Sequence, residues 1–302
     1  MPIIPGIIAS SINLGGGYWA AYLADSLAAG SQSDQGQGIA TDSTGNVYVT
    51  GVFANASSGI NAFITKYNTS GTIQWQRSLA DSLAAGSQSD YGFAIATDST
   101  GNVYVTGYFS NYSNGNNAFI TKYNTSGTIQ WQRSLADSKA AGSQYDRGFA
   151  IATDSTGNVY VTGYFRNSSN GFNVLITKYN TSGTIQWQRS LADSRAAGGQ
   201  NDYGQGIATD SSGNVYVTGF FRNSSAGTNV LITKLPNDGT KTGTWTFDAT
   251  RILTYATSSL TDAAGSLTDA AGTLTDAASS ITDAASSLTD AAGSLTGAKV
   301  TL

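Results

Sequence analysis

Chemistry in this chain has few residue types to run on. Among 302 residues there is no His and no Cys, and all 19 acidic residues are Asp. Without His the usual proton shuttle near neutral pH is missing, and so is the commonest transition-metal ligand. Without Cys there is no disulfide framework and no thiolate nucleophile. Ser-His-Asp, Cys-His and zinc sites are excluded, which leaves Asp, Lys, Arg and Tyr. Every Asp before Asp248 except Asp238 falls on a repeating position, so no carboxylate pair stands apart as an acid and base. The DSTGN motifs are short pieces of a calcium-type loop but lack its alternating acids. The row Asp262, Asp269, Asp276, Asp283, Asp290 offers one carboxylate per two helical turns, too sparse for the six to eight oxygens calcium takes. No enzymatic activity, no cofactor and no metal is expected from these residues.

The elements that would position any site come from repetition. DSTGN starts at Asp42, Asp98 and Asp154, and DSSGN follows at Asp210, each step being 56 residues. Trp19, Trp75, Trp131 and Trp187 keep the same step, and Trp245 follows after 58. Residues 92–136 show the content of one unit. GFAIATD, NVYVTGYF, AFITKYN and TIQWQRSLA read as strands, joined by DSTGN, a polar loop and NTSG. Asp98 and Asn124 can bond backbone N–H groups two residues on, and Gly101 and Gly127 can supply positive φ. Four short antiparallel strands per unit of this size predict the blade of a β-propeller. The Trp series is expected in blade packing, with a carbohydrate platform as the other use of those rings. Glycines 51, 107, 163 and 219 are expected to let sheets approach closely.

Candidate binding chemistry lies where the copies differ. One set of variable positions is Gln35, Tyr91, Arg147 and Tyr203. The other is the loop between second and third strands, with Tyr112, Arg166 and Arg222. Tyr91, Arg147, Tyr203, Arg166, Arg222 and Tyr112 are therefore the candidate ligand-binding residues. Tyr and Arg suit stacking and hydrogen bonding on sugars or on a protein surface, and loops on a rigid ring are where ligands commonly sit.

The recurring pattern W…L…D.G.AIATDSTGNVYVTGYF…NAFITKYNTSGTIQW resembles the SBBP β-propeller repeat over roughly residues 17–247. The resemblance implies a propeller and no particular chemistry. Four copies with a partial one leave closure open: a four-blade ring, or four blades with an added edge strand. KTGTWTFDA (241–249) reads as the fourth strand of the last copy, which makes the Trp19 strand surplus. That strand is expected to cover a sheet edge or to pair with a neighbouring subunit.

From Arg251 the period changes to seven. Leu253, Leu260, Leu267, Leu274, Ile281, Leu288 and Leu295 recur in SLTDAAG-type units. Such a period predicts a left-handed coiled coil, and these residues are the candidate oligomerisation seam. Gly, Ser, Thr and Asp make the segment a poor lone helix. The expected partner is the chain itself, as a homo-oligomer with a trimer the leading form. The expected fold is an all-β propeller-like domain of four four-stranded blades plus one strand, with a C-terminal α-helical heptad stalk. Its parts are an attachment peptide (1–16), the propeller (17–250) and the stalk (251–302).

Net charge is −4, and residues 1–252 balance, so the excess lies in the heptads. Nothing resembles a basic nucleic-acid footprint, and no apolar run approaches the ~20 residues of a membrane span. MPIIPGIIASS has no Lys or Arg before its apolar part, unlike a Sec signal. That start and the TDAAS-type heptads resemble tail-fibre and virion-surface proteins of marine and cyanobacterial phages. This resemblance implies a virion structural protein, such as a tail fibre, spike or capsid-decorating subunit. Its propeller would present a surface for host polysaccharide, and other virion proteins would be its neighbours. The second reading is an adhesin-like binding module, extracellular or on a bacterial surface.

Overall fold

The computed structural model describes residues 7–15, 17–25, 34–54, 59–79, 89–110, 115–135, 145–166, 171–193, 201–222, 227–240, 243–248 and 251–256. The chain is all-β over these residues. A hairpin comes first, β1 (Ile7–Gly15) with β2 (Tyr18–Asp25). The first blade holds β3 (Gln35–Thr41), β4 (Val47–Ala54), β5 (Ile60–Tyr67) and β6 (Ile73–Leu79). The second holds β7 (Tyr91–Thr97), β8 (Val103–Ser110), β9 (Asn116–Tyr123) and β10 (Ile129–Leu135). The third holds β11 (Arg147–Thr153), β12 (Val159–Arg166), β13 (Phe172–Tyr179) and β14 (Ile185–Asp193). The fourth has three strands, β15 (Tyr203–Thr209), β16 (Val215–Arg222) and β17 (Thr228–Leu235). Two more strands, β18 (Gly243–Asp248) and β19 (Arg251–Ala256), form a hairpin, and β19 pairs with the outer edge of β14.

Three expectations are corrected here. KTGTWTFDA is not the fourth strand of the last blade, because β18 pairs with β19. The segment from Arg251 does not begin as helix. Arg251–Ala256 is strand, and Leu253 pairs with Trp245 and Asp193. RILTYA carries the β-forming residues Ile252, Thr254 and Tyr255, and β14 offers it a free edge. The segment preceding the first blade is two strands, not one. Leu260, Leu267, Leu274, Ile281, Leu288 and Leu295 lie outside the described residues.

Each DSTGN turn is held by one carboxylate. Asp98 Oδ1 accepts from the Thr100 and Asn102 backbone N–H groups and from the Thr100 hydroxyl, at 2.9, 3.0 and 2.7 Å. Its Oδ2 accepts from Asn102 Nδ2 at 2.8 Å and from the Tyr104 hydroxyl at 2.9 Å. Asp42 and Asp154 repeat this set. These oxygens are occupied as turn acceptors. Burial pushes the Asp98 carboxyl upward, but the donors Asn102, Thr100 and Tyr104 outweigh it and hold it below the usual carboxylate range. Burial first, and then Asp98, pushes the Tyr104 hydroxyl well above its ordinary value.

Asp98→Asn removes one acceptor and presents donors to Tyr104 and Asn102. The expected loss is about 1–3 kcal/mol, read by urea unfolding at neutral pH. A lowered native pKa means this stability is fully present above the unfolded value of about 3.9 and is lost as pH falls through the native value. The gap between the two proteins should therefore close on acidification.

Consecutive blades pack as copies of one interface. Tyr48, Ile64, Trp75 and Leu79 of the first blade form one core with Ile95, Val105, Phe109, Phe119 and Tyr123 of the second. The same positions join the second to the third and the third to the fourth. Trp75 stacks on Tyr123 at 6.0 Å, and its Nε1 donates to the Thr125 carbonyl at 3.0 Å. Thr97 and Thr153 hydroxyls donate to the carbonyls of Thr41 and Thr97, both at 2.8 Å.

The close approach between blades is made at other glycines than expected. A Cβ on Gly92 would lie 2.3 Å from Thr50 Oγ1 of the preceding blade, and one on Gly148 would lie 2.1 Å from Thr106 Oγ1. Gly107 and Gly163 instead face carbonyls of the adjacent strand in their own sheet, those of Tyr91 and Arg147.

Candidate binding face of the inner strands

The first strands of successive blades, β3, β7, β11 and β15, lie side by side and line the inner side of the arc. Each carries a bulge: Gly92 pairs with Gly107 and Ala94 with Thr106, leaving Phe93 as the extra residue. The equivalents are Gln37, Phe149 and Gln205. A bulge re-aims a side chain, and here it does so once per blade at one level of the arc.

Around these bulges aromatic rings and one cation run from blade to blade. Tyr91 stacks on Tyr108 at 4.8 Å. The Arg147 guanidinium of the third blade lies 4.3 Å from the Tyr108 ring centre. Phe93 and Phe149 meet across the blade boundary at 5.3 Å, and Phe149 meets Tyr164 at 5.3 Å. Tyr164 meets Tyr203 of the fourth blade edge-on at 4.5 Å, and Tyr203 meets Phe220 at 4.8 Å. Tyr91, Phe93, Arg147, Phe149 and Tyr203 are half-buried, so each presents part of its surface. Asn116, with its amide oxygen turned toward Arg147, accepts from Nη2 at 3.2 Å.

Burial pushes the Tyr164 hydroxyl up to about 12, with Arg147 pulling it back. Burial raises Tyr108 further and also raises Tyr203. These phenols stay neutral at physiological pH, and Arg147 supplies the positive charge. The face can stack on a flat or apolar ligand surface and donate hydrogen bonds from Arg and Tyr. Gln35 and Gln37 extend it on the first blade as a polar margin, with a 3.1 Å bond between their amides.

Tyr91, Arg147 and Tyr203 thus come together, but as opening residues of β7, β11 and β15 instead of loop residues. Arg166 and Arg222 end β12 and β16. Their backbone N–H groups donate to Asp146 Oδ1 at 2.9 Å and Asp202 Oδ1 at 3.0 Å. Arg166 also lies 5.7 Å from the Tyr145 ring, and the Arg222 charge acts on the Tyr203 hydroxyl of the aromatic row. Tyr112 lies outside the described residues. Phe93 and Phe149 were missed by sequence reasoning. The signal was there, since the same repeat position holds Gln37 and Gln205 in the outer copies. Among the described residues no group of acidic side chains could hold a metal ion, and no helix is long and apolar enough to cross a membrane.

The repeated antiparallel sheets are those of a propeller-like repeat fold. The beta-propeller repeat model SBBP matches residues 19–52 and 194–219. An uncharacterized WD repeat-containing protein of Acanthamoeba polyphaga mimivirus is 25% identical, over 58% of this chain and 17% of its own length. The chain thus spans about a sixth of that relative. A Bacteroides caccae protein of unknown function is 11% identical, with a TM-score of 0.38 over 83% of this chain and 73% of that one. A neuraminidase-like protein of the strain A/little yellow-shouldered bat/Guatemala is 13% identical, with a TM-score of 0.37 over 76% of this chain and 63% of that one. A Xanthomonas campestris gluconolactonase is 12% identical, with a TM-score of 0.33 over 74% of this chain and 86% of that one. The expectation that the chain is not an enzyme is corrected on this finding, because an enzyme stands among its structural neighbours.

Proposed function

We propose that this protein is a virion-surface binding protein whose inner aromatic row holds a host polysaccharide. The observation that carries the reading is the continuous run Tyr91–Tyr108–Arg147 and Phe149–Tyr164–Tyr203 across three blades. Sugar rings stack on aromatic faces, and Arg and Tyr donate to their hydroxyls. The low charge of the chain, 11% against the usual ~25%, suits recognition by hydrogen bonds more than by salt-sensitive steering. The mimivirus WD repeat-containing relative supports a viral protein.

Titration calorimetry with purified host-surface polysaccharide tests the site. Arg147→Ala should weaken binding about tenfold, close to 1.4 kcal/mol. Affinity should change little between low and moderate salt. Binding that is unaffected by Arg147→Ala and by Tyr203→Ala would place the ligand elsewhere. Antibody labelling of intact particles tests the virion setting.

A further inference from the structure

The repeated interface between blades has an unfilled copy at each end of the arc. Shifting the core of the first and second blades back by one repeat gives Trp19 and Leu23 with Ile39, Val47, Val49, Phe53, Phe63 and Tyr67. Those residues are in place. Trp19 stacks on Tyr67 at 5.3 Å, directly over Gly71, as Trp75 lies over Gly127. Leu23 packs on Phe53 and Phe63. So β2, whose YWAAYLADS matches the WQRSLADS of β6, β10 and β14, already stands as the fourth strand of a blade preceding the first.

Among the described residues that blade holds only β1 beside β2, paired with it as a hairpin, and no strands like the first two of the other blades. The contributions of a second and third strand to the core would be the equivalents of Tyr48, Ala62 and Ile64, and in the last blade these are Tyr216, Val230 and Ile232. Those three are exposed in the chain. Ile232 is 74% exposed where Ile64, Ile120 and Ile176 are all 0%, and Val230 is 73% exposed. On the receiving side Ile39 is 71% exposed where Ile95 is 7%. A cavity of about 320 Å³ lies beside it, lined by Trp19, Leu23, Ile39, Val49, Phe53 and Phe63. Among the described residues the last blade has no fourth strand, and β17 ends its sheet.

We propose that two copies of this chain close one ring, with β2 of each, on its edge away from β1, supplying the fourth strand of the other's last blade. The face of that blade, with Tyr216, Val230 and Ile232, then seats in the partner's first-blade cavity. A second copy is the occupant because the fit is the interface the chain already forms three times. Within one chain the ends do not meet: β3 packs on β7, β7 on β11 and β11 on β15, but β15 does not pack on β3. Two four-blade arcs give eight blades, inside the usual range of about four to eight, and three would exceed it. A head-to-tail contact that closes after two copies leaves no apolar end exposed. It also removes the free edge of β17.

The chain has no Cys, so engineered pairs report this contact directly. By the register of Thr65 with Gln76, Thr233 should face Ala20 of the other copy from the side opposite Ile12, the partner of Ala20 in β1. Full-length Ala20→Cys and Thr233→Cys chains, mixed and mildly oxidised, should give a reducible band at twice the chain mass, and neither alone should. Adding Gly36→Ala to the Ala20→Cys chain should cut that band at least fivefold. Within the chain, a Cβ on Gly36 meets nothing closer than Val49 at 3.8 Å. In the ring it would meet the partner's Thr218, as a Cβ on Gly204 would lie 2.1 Å from Thr162 Oγ1.

A link formed within single chains carrying both cysteines, with none in the mixture, would overturn the proposal in favour of closure of one chain. Absence of any link would overturn it outright. Sedimentation of the unmodified protein guards against a variant that fails to fold. An even number of chains is expected, and a monomer or an odd number overturns the two-copy ring.

Discussion

Replacing Trp131 with alanine is expected to lower the free energy of unfolding by about 3–5 kcal/mol, as for large aromatic deletions from a core. Trp131, on the fourth strand of the second blade, lies in the core shared with the third. It is buried, stacks on Tyr179 at 6.0 Å and meets Tyr104 at 6.0 Å. Its Nε1 donates to the Thr181 carbonyl at 3.0 Å, and Arg133 lies 5.5 Å from its ring. The ring also lies over Gly183, where a Cβ would come within 2.6 Å. Alanine would leave a cavity between two sheets that meet along a broad face and cannot collapse locally. Trp19→Ala is the comparison. Trp19 is half-buried and belongs to the incomplete blade before the first, so the loss should be smaller. Urea unfolding followed by Trp fluorescence gives both values. Equal losses would mean that blade packing is not what the Trp series supplies.

Gly163→Ala is the second large effect, and its cause is different. The added Cβ would sit 1.8 Å from the Arg147 carbonyl oxygen in the adjacent strand of the same sheet. Overpacking usually costs about 1–3 kcal/mol because a side chain can turn away. Here the obstacle is backbone, at the bulge where Gly148 pairs with Gly163. Relief requires parting β11 from β12, so the loss should reach roughly 3 kcal/mol or more, above that range. The same step displaces Arg147, so any polysaccharide bound at the inner face should be lost with it. A melting temperature within a degree of the unaltered protein would show that the bulge can open without cost.

The four-fold repeat, the strands within each copy and the turn chemistry were legible in the chain because each is a local property, whereas the three-stranded last blade and the two flanking hairpins were not. Asp98 with Asn102, and Asn124 with Thr128, act within five residues. Tyr91, Arg147 and Tyr203 stood out in the sequence as variation between copies. Their coming together was not, since the Arg147–Tyr108 contact crosses a blade boundary that no local pattern describes. Phe93 and Phe149 were overlooked because alternation assigns them as ordinary strand residues, and only the bulge sets them apart. The fate of Arg251–Ala256 was misread because a seven-residue spacing of leucines includes Leu253, whereas the free edge of β14 decides its state.

By itself the sequence determined that the protein is built from one copied unit, and so which residues could do chemistry and which turns and strands would form. Hydrogen-bonded turns and alternating strands need only neighbours along the chain. The tertiary structure alone decided that Trp19 fills the slot before the first blade, that the last blade has three strands, and that the arc ends on Ile39 and Ile232. Which copy of an interface goes unfilled depends on how many blades meet in space, and identical repeats carry no mark of that.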